Sequence, residues 1–329
     1  MESLGTFDDY IVVPGKGLNS RFDADPYIEL FGFKKIVPFI PANMITTATR
    51  DMAFALYDLG VVVPFHRFQK IENQVKIVKD LYESLINKRT PIAATVGVDD
   101  PDRARQLSKF VDVFFLDLAY AYTDKAINEV KKLKESYAAK VVVGNVCTRK
   151  GVEELDKAGA DMIKIGTGSG SVCITQRITG CGFPQLDSLR YCACEQYKVI
   201  SDGGIRSSGD IIKALVAGSS MVMTGSLFAG TDESAGHGNS RIYSGMASKE
   251  ARLQKDDRLQ EGIVSEGISI TVPYKGSAKR VTEDLLAGIR QGMSLVGAKT
   301  IKELKDKGEL RRITQEAQIE GSPHILNRS

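Results

Sequence analysis

Apolar stretches rich in β-branched residues recur along the chain at fairly even spacing. Eight are long enough to be strands, at 36–44, 61–67, 91–98, 111–119, 140–146, 162–168, 198–204 and 220–226. Segments with helical periodicity lie between and after them, at 49–59, 73–86, 101–110, 124–137, 150–158, 209–217 and 278–296. Near-continuous apolar strands are buried on both faces, and their alternation with helices marks a parallel sheet. Eight such units predict an α/β fold of the (β/α)8 TIM-barrel type. A doubly wound sheet would also alternate, but usually with a Gly-x-Gly-x-x-Gly turn after its first strand. Here that strand ends Pro41-Ala42-Asn43-Met44.

Two parts exceed a minimal barrel of about 250 residues. Residues 1–35 read as an arm or hairpin closing the barrel floor. Residues 229–275, rich in Gly, Ser and charge, follow the eighth strand and so fall on the catalytic face. Long loops in compact domains are usually functional, and this one is expected to be a flap. The polar tail 309–329 is expected to order only on assembly. The whole of 1–329 reads as one barrel domain.

Charge changes little: 44 basic against 41 acidic residues leave +3, without the basic face of a nucleic-acid binder. The N-terminus MESLGTFDDY has no signal-peptide pattern, and no apolar run approaches a membrane span. A soluble, cytoplasmic chain is expected, with no nucleic-acid or membrane partner. Five cysteines, an odd number with no Cys-x-x-Cys pair, read as free thiols.

Candidate chemistry lies where the strands end. After the sixth comes Gly166-Thr167-Gly168-Ser169-Gly170-Ser171-Val172-Cys173-Ile174-Thr175. Alternate glycines let this loop fold tightly and turn amides and carbonyls toward a ligand. They place Cys173 at the barrel mouth as a candidate nucleophile, and carbonyls of the loop suit a monovalent cation. Cys181, Cys192 and Cys194 read as packing residues. After strands seven and eight come Asp202-Gly203-Gly204 and Gly225-Ser226, a pair of loops suited to phosphate. The Ser171 and Ser226 hydroxyls add donors, and Asp202 is placed to accept from ribose. Asp117 ends strand four, as either a ligand contact or a cap for the following helix. Asn43 and Asn145 are further polar candidates, and His66 stands for either a structural donor or a catalyst.

Gly168-Ser169-Gly170-Ser171-Val172-Cys173-Ile174-Thr175 and Gly182-Phe183-Pro184-Gln185 together resemble the catalytic cysteine loop of the inosine-monophosphate dehydrogenase / GMP reductase family. Asp202-Gly203-Gly204-Ile205, Tyr243-Ser244-Gly245-Met246 and Tyr274-Lys275-Gly276 extend the likeness over nearly the whole chain. The resemblance implies that Cys173 attacks C2 of a purine nucleotide (GMP or IMP), with Thr175 and Glu266 relaying protons. It implies nucleotide contacts at Ser171, Asp202, Gly203, Gly204, Gly225, Ser226, Tyr243, Gly245 and Met246. Arg67, Asp117, Leu118, Ala119, Gly166, Thr167 and Met246 would contact NADPH, and carbonyls of Gly168, Gly170 and Cys173 would hold K+. A homotetramer is also implied. The segment 68–90 has room for one helix and no inserted regulatory domain, which is similar to compact bacterial GMP reductases. Asp257-Arg258-Leu259 lacks the tyrosine of the dehydrogenase Arg-Tyr pair. Thr231 stands where reductases carry histidine, and Arg67 where many carry lysine. The alternatives are an IMP dehydrogenase without a regulatory domain and a nucleotide-binding regulator without turnover.

Overall fold

The computed structural model describes residues 4–85, 87–237, 240–249, 251, 253 and 264–321. Eight strands form the central sheet: β1 (Phe39–Pro41), β2 (Pro64–Phe65), β3 (Ala93–Val96), β4 (Val113–Asp117), β5 (Lys140–Val146), β6 (Met162–Ile165), β7 (Val199–Asp202) and β8 (Met221–Thr224). Their order is β1-β8-β7-β6-β5-β4-β3-β2, with every pairing parallel. This is the (β/α)8 barrel that the hydrophobic pattern predicts. β2 is far shorter than the 61–67 run, because only Pro64 and Phe65 pair with β3. Pro64 offers no N–H to a ladder, although Val61, Val62 and Val63 are all buried.

The outer layer holds α1 (Arg50–Leu56), α2 (Ile71–Ser84), α3 (Pro101–Leu107), α4 (Asp124–Ser136), α5 (Arg149–Lys157), α6 (Gln185–Cys192), α7 (Ser208–Val216) and α8 (Ala278–Val296). Thr49, Thr123, Thr148, Ser207 and Ser277 cap α1, α4, α5, α7 and α8 by accepting a backbone N–H. Each cap is worth about 1 kcal/mol. α2 ends at Ser84 and β3 begins at Ala93.

Side chains alternate along each strand, so two cores form. Phe114 and Leu116 of β4 and Val141 and Val143 of β5 face the helices. Val113, Phe115, Val142, Met162, Ile200 and Met221 fill the barrel. Continuing the inward face by two residues gives Asp117 on β4, Gly144 on β5, Lys164 on β6, Asp202 on β7 and Met223 on β8. The barrel interior therefore ends, on its C-terminal side, in a polar layer resting on an apolar one.

The N-terminal segment departs from expectation in part. A hairpin of Ile28–Leu30 and Phe33–Ile36 does close the floor with Leu30 and Ile36. The first residues instead run along the outside toward the opposite end. Gly5 N donates to Asp187 of α6, Lys213 of α7 donates to Phe7 O, and Phe7 is buried. The tail differs too, since its residues 309–320 form elements within the chain itself. Glu309–Arg312 pairs antiparallel with Tyr10–Val13, joining Tyr10 to Arg312, and Gln315–Glu320 is helical. The tail finds its partner strand in its own N-terminus. The flap forms an antiparallel sheet of Gly236–His237, Ser240–Ser244 and Ser269–Val272. No helix among the described residues is long and apolar enough to cross a membrane.

Candidate active site

The strand ends and the flap enclose a cavity of about 420 Å³. Every catalytic, nucleotide, cofactor and cation candidate named from the sequence lines it, from Arg67 and Asp117 through the 166–175 loop to Met246 and Glu266. Asn43 and Asn145 line it as well; His66 does not.

The flap is tied to the cysteine loop by backbone pairing. Ile174 N donates to Glu266 O (2.8 Å) and Ile268 N to Val172 O (3.0 Å), around a bridge between Cys173 and Gly267. On the neighbouring flap strand, Gly245 N donates to Ile268 O (3.0 Å) and so sets Met246 at the cavity. This pairing presents the Glu266 carboxylate to Thr175, whose Oγ1 donates to Oε2 at 2.9 Å. Cys173 Sγ lies 3.1 Å from the same hydroxyl. A hydroxyl has one proton; with that proton on Glu266, the Thr175 oxygen accepts from the thiol. A thiol, a hydroxyl and a carboxylate thus form one hydrogen-bonded chain at the cavity wall.

Glycines bring the loops together. A Cβ on Gly203 (φ +102) would come within 2.4 Å of Ser169 Oγ, and one on Gly225 within 2.3 Å of the Tyr243 hydroxyl. Ser169 Oγ also donates to Gln185 Oε1 (2.8 Å), and Gln185 Nε2 donates to Ile165 O (2.7 Å). The Gln of the Gly-Phe-Pro-Gln motif therefore ties the cysteine loop to β6. Tyr243, on the Ser240–Ser244 strand of the flap, is buried; burial, with the charge of Asp202 second, raises its phenol above the ordinary range.

Lys164 is the central residue of the polar layer, and the sequence reading passed over it as part of an apolar strand. It is 1% exposed. Its Nζ donates to Asp117 Oδ1 (2.6 Å) and Asp202 Oδ2 (3.0 Å). Burial alone would depress the ammonium, but the two carboxylates outweigh burial and raise it. Asn145 Nδ2 donates to the same Asp202 oxygen at 3.0 Å. The available signal was period two: a lysine two residues after inward-facing Met162 must also face inward.

Other expectations change. His66 is held neutral, its pKa pushed down to about 4 by burial and then by Arg103. It lies off the cavity and is not the catalyst. Thr231 is fully buried and donates to Phe228 O (2.8 Å). Nearby, Glu233 Oε2 accepts Ala278 N–H at the start of α8 (2.8 Å), so this stretch anchors a helix. Arg67 donates to Asp117 O (3.3 Å) and stacks on Phe68 at 4.8 Å. Cys192 is buried as expected, whereas Cys181 is exposed, on a turn that carries it away from any core. The 257–259 triplet lies outside the described residues.

Three polar atoms on the cavity residues, Arg67 Nε, Asn145 Oδ1 and Thr167 Oγ1, are buried with no hydrogen-bond partner. Buried polar groups ordinarily have one, so these fit a ligand bearing both donors and acceptors, as a carboxamide does.

The family described as IMP dehydrogenase / GMP reductase domain matches residues 4–324. GMP reductase of Onchocerca volvulus is 32% identical over 94% of this chain and 91% of its own. IMP dehydrogenase of Staphylococcus aureus is 37% identical over 91% of this chain and 68% of its own. The match to IMP dehydrogenase of Nitrosopumilus maritimus (38% identical) spans only 54% of that longer protein. A solved structure of a cysteine-to-alanine variant of Trypanosoma brucei GMP reductase, in complex with guanosine 5'-monophosphate, superposes with TM-score 0.91. It is 25% identical, with 98% of both chains covered.

Proposed function

The chain belongs to the IMP dehydrogenase / GMP reductase family, and we propose that within it the protein is a GMP reductase, converting GMP to IMP and ammonia. The observation that carries this reading is the Cys173–Thr175–Glu266 chain. Net attack of a thiol on an amine-bearing carbon with loss of ammonia needs one proton moved from sulfur to nitrogen. The chain offers that route. The Cys173 proton passes through Thr175 to Glu266 as Sγ bonds to purine C2, and returns through Thr175 to the departing 2-amino group. The product is a thioimidate on Cys173 plus ammonia, with no proton left over.

Arg67, Asp117, Leu118, Ala119, Gly166, Thr167 and Met246 would hold the nicotinamide cofactor, as the unpartnered polar atoms there support. Bound NADPH supplies the hydride that reduces C2. Cys173 then leaves with the carbon–sulfur electron pair, and IMP departs. Ser171, Gly203, Gly204, Gly225 and Ser226 hold the phosphate, Asp202 the ribose, and Tyr243, Gly245 and Met246 close over the nucleotide. Fixing both reactants makes hydride transfer effectively intramolecular. The carbonyls of Gly168, Gly170 and Cys173 are the proposed ligands of K+. Gly170 O already accepts Cys173 N–H (3.0 Å), so the ion would brace the loop and takes no part in proton transfer. A single barrel domain, a homotetramer and a cytoplasmic location complete the reading.

A second reading, IMP dehydrogenase, is favoured by the higher identity to dehydrogenases. Opening a thioimidate with water needs an activating group, and Leu259 stands where the Arg-Tyr pair would place its tyrosine. One experiment separates the two. Loss of NADPH absorbance with GMP, and no NAD reduction with IMP, is the expected result; the reverse pattern makes the protein a dehydrogenase. Cys173→Ala should still bind GMP while losing all turnover, and retained turnover would end the covalent mechanism.

A further inference from the structure

Asp117, Gly144 and Lys164 lie side by side on β4, β5 and β6, in register. Lys164 in turn pairs with Ile200 on β7, two residues before Asp202. The inward faces of four strands thus converge on one ammonium group. Gly144 makes this possible: a Cβ there would come within 2.4 Å of Lys164 Cβ and 2.7 Å of its carbonyl oxygen. A lysine has three N–H donors. Here they are taken by Asp117, Asp202 and the Met223 sulfur at 3.8 Å, which leaves none for a ligand.

The two carboxylates are not held alike. Asp202 Oδ2 receives both Lys164 and Asn145, while among the described residues Lys164 is the side-chain donor to the Asp117 carboxylate and Arg67 reaches only the Asp117 backbone carbonyl. The Asp117 and Asp202 side chains keep 14% and 19% exposure, against 2% for Lys164; all three line the cavity, with the lysine the least exposed of them. Without the ammonium, two carboxylates would face each other in a partly desolvated layer, where like charges repel strongly.

We propose that Lys164 is a positioning residue that couples the nucleotide half of the cavity to the reductant half, by fixing Asp202 and Asp117 from a single buried charge. The inference rests on the reading above for the identity of the two ligands. Because Asn145 still holds Asp202, losing Lys164 should weaken the reductant half more. Because one ammonium serves both carboxylates, altering Asp117 should be felt at the nucleotide.

The test is a double-mutant cycle of Lys164→Met and Asp117→Asn, with GMP affinity read by calorimetry in the absence of cofactor and KM for NADPH read from turnover. Lys164→Met is expected to raise KM for NADPH about tenfold or more and Kd for GMP about threefold. Asp117→Asn is expected to shift GMP affinity about threefold when Lys164 is present and not at all in the Lys164→Met background. A fall in kcat alone, with both affinities unchanged, would mean that Lys164 only supports the fold. Equal effects of Asp117→Asn in both backgrounds overturn the coupling. Should Lys164→Met not fold by circular dichroism, Asp117→Asn decides alone, and unchanged GMP affinity refutes the inference. A wild-type protein that binds GMP but reduces nothing sinks the reaction assignment while the calorimetric cycle still stands. One that does not bind GMP sinks both.

Discussion

Replacing Thr175 by Val tests the proton route with almost no change of shape. The substitution removes one hydroxyl, and with it the bonds of 3.1 Å to Cys173 Sγ and 2.9 Å to Glu266. The thiol and carboxylate then have no group between them to carry a proton. General acid–base assistance is worth about 10²–10⁴ in rate, so kcat should fall by about that factor, equivalent to roughly 3–5 kcal/mol of barrier. The cost to stability should be far smaller, about 1 kcal/mol for the hydrogen bonds lost, since Cys173 and Thr175 are only half-buried and water can replace the partner. The hydroxyl engages protein groups, so KM for GMP should change less than about threefold. The assay is a single turnover with excess enzyme, following ammonia release and NADPH loss separately. Ammonia release should become the slow step. If Thr175→Val keeps kcat within tenfold, or if hydride transfer slows while ammonia release does not, the hydroxyl is not the carrier.

Two further substitutions address the scaffold. Gly144→Ala drives a methyl into the backbone and Cβ of Lys164. A stability loss of about 3 kcal/mol is expected from such overpacking, read as a lower urea midpoint; an unchanged midpoint would mean that β5 and β6 separate freely. His66, with its pKa pushed down to about 4, is neutral when folded and protonates more readily when unfolded. Its contribution is complete above about pH 6.5 and is lost as pH falls toward 4, by up to about 3 kcal/mol. His66→Gln should therefore flatten that part of the stability–pH curve, and an unaltered curve would show that the imidazole is exposed.

Much of this site was visible in the chain because strand ends announce themselves. Cys173, Asp117, Asp202 and Gly225 each follow a run of β-branched residues, and in a barrel such positions converge. Lys164 went unseen because one charge inside Met-Ile-Lys-Ile does not break an apolar run; only the alternation of faces marks it as inward. Glu266, in Val264-Ser265-Glu266-Gly267, carries no local sign of a site. Its place depends on backbone pairing between the flap and the cysteine loop, about ninety residues apart, which no local pattern records. The same holds for the tail, whose partner strand lies at the other end of the chain. The Thr231 departure looked like a lost functional histidine, yet its neighbourhood is occupied with starting α8.

The pairing of Tyr10 with Arg312 also sets an order of events during synthesis. A Cβ on Gly204 would come within 3.3 Å of the Phe7 ring, so the first turn of the chain forms the back wall of the loop assigned to phosphate. Its strand partner is translated about 300 residues later. At ribosomal rates of about 5–20 residues per second, roughly 15–60 s separate the two. A nascent barrel can close its eight strands in that interval, but Phe7 is not yet tied down by its neighbouring ladder, and a ribosome-stalled chain ending before Glu309 would present an unfinished pocket.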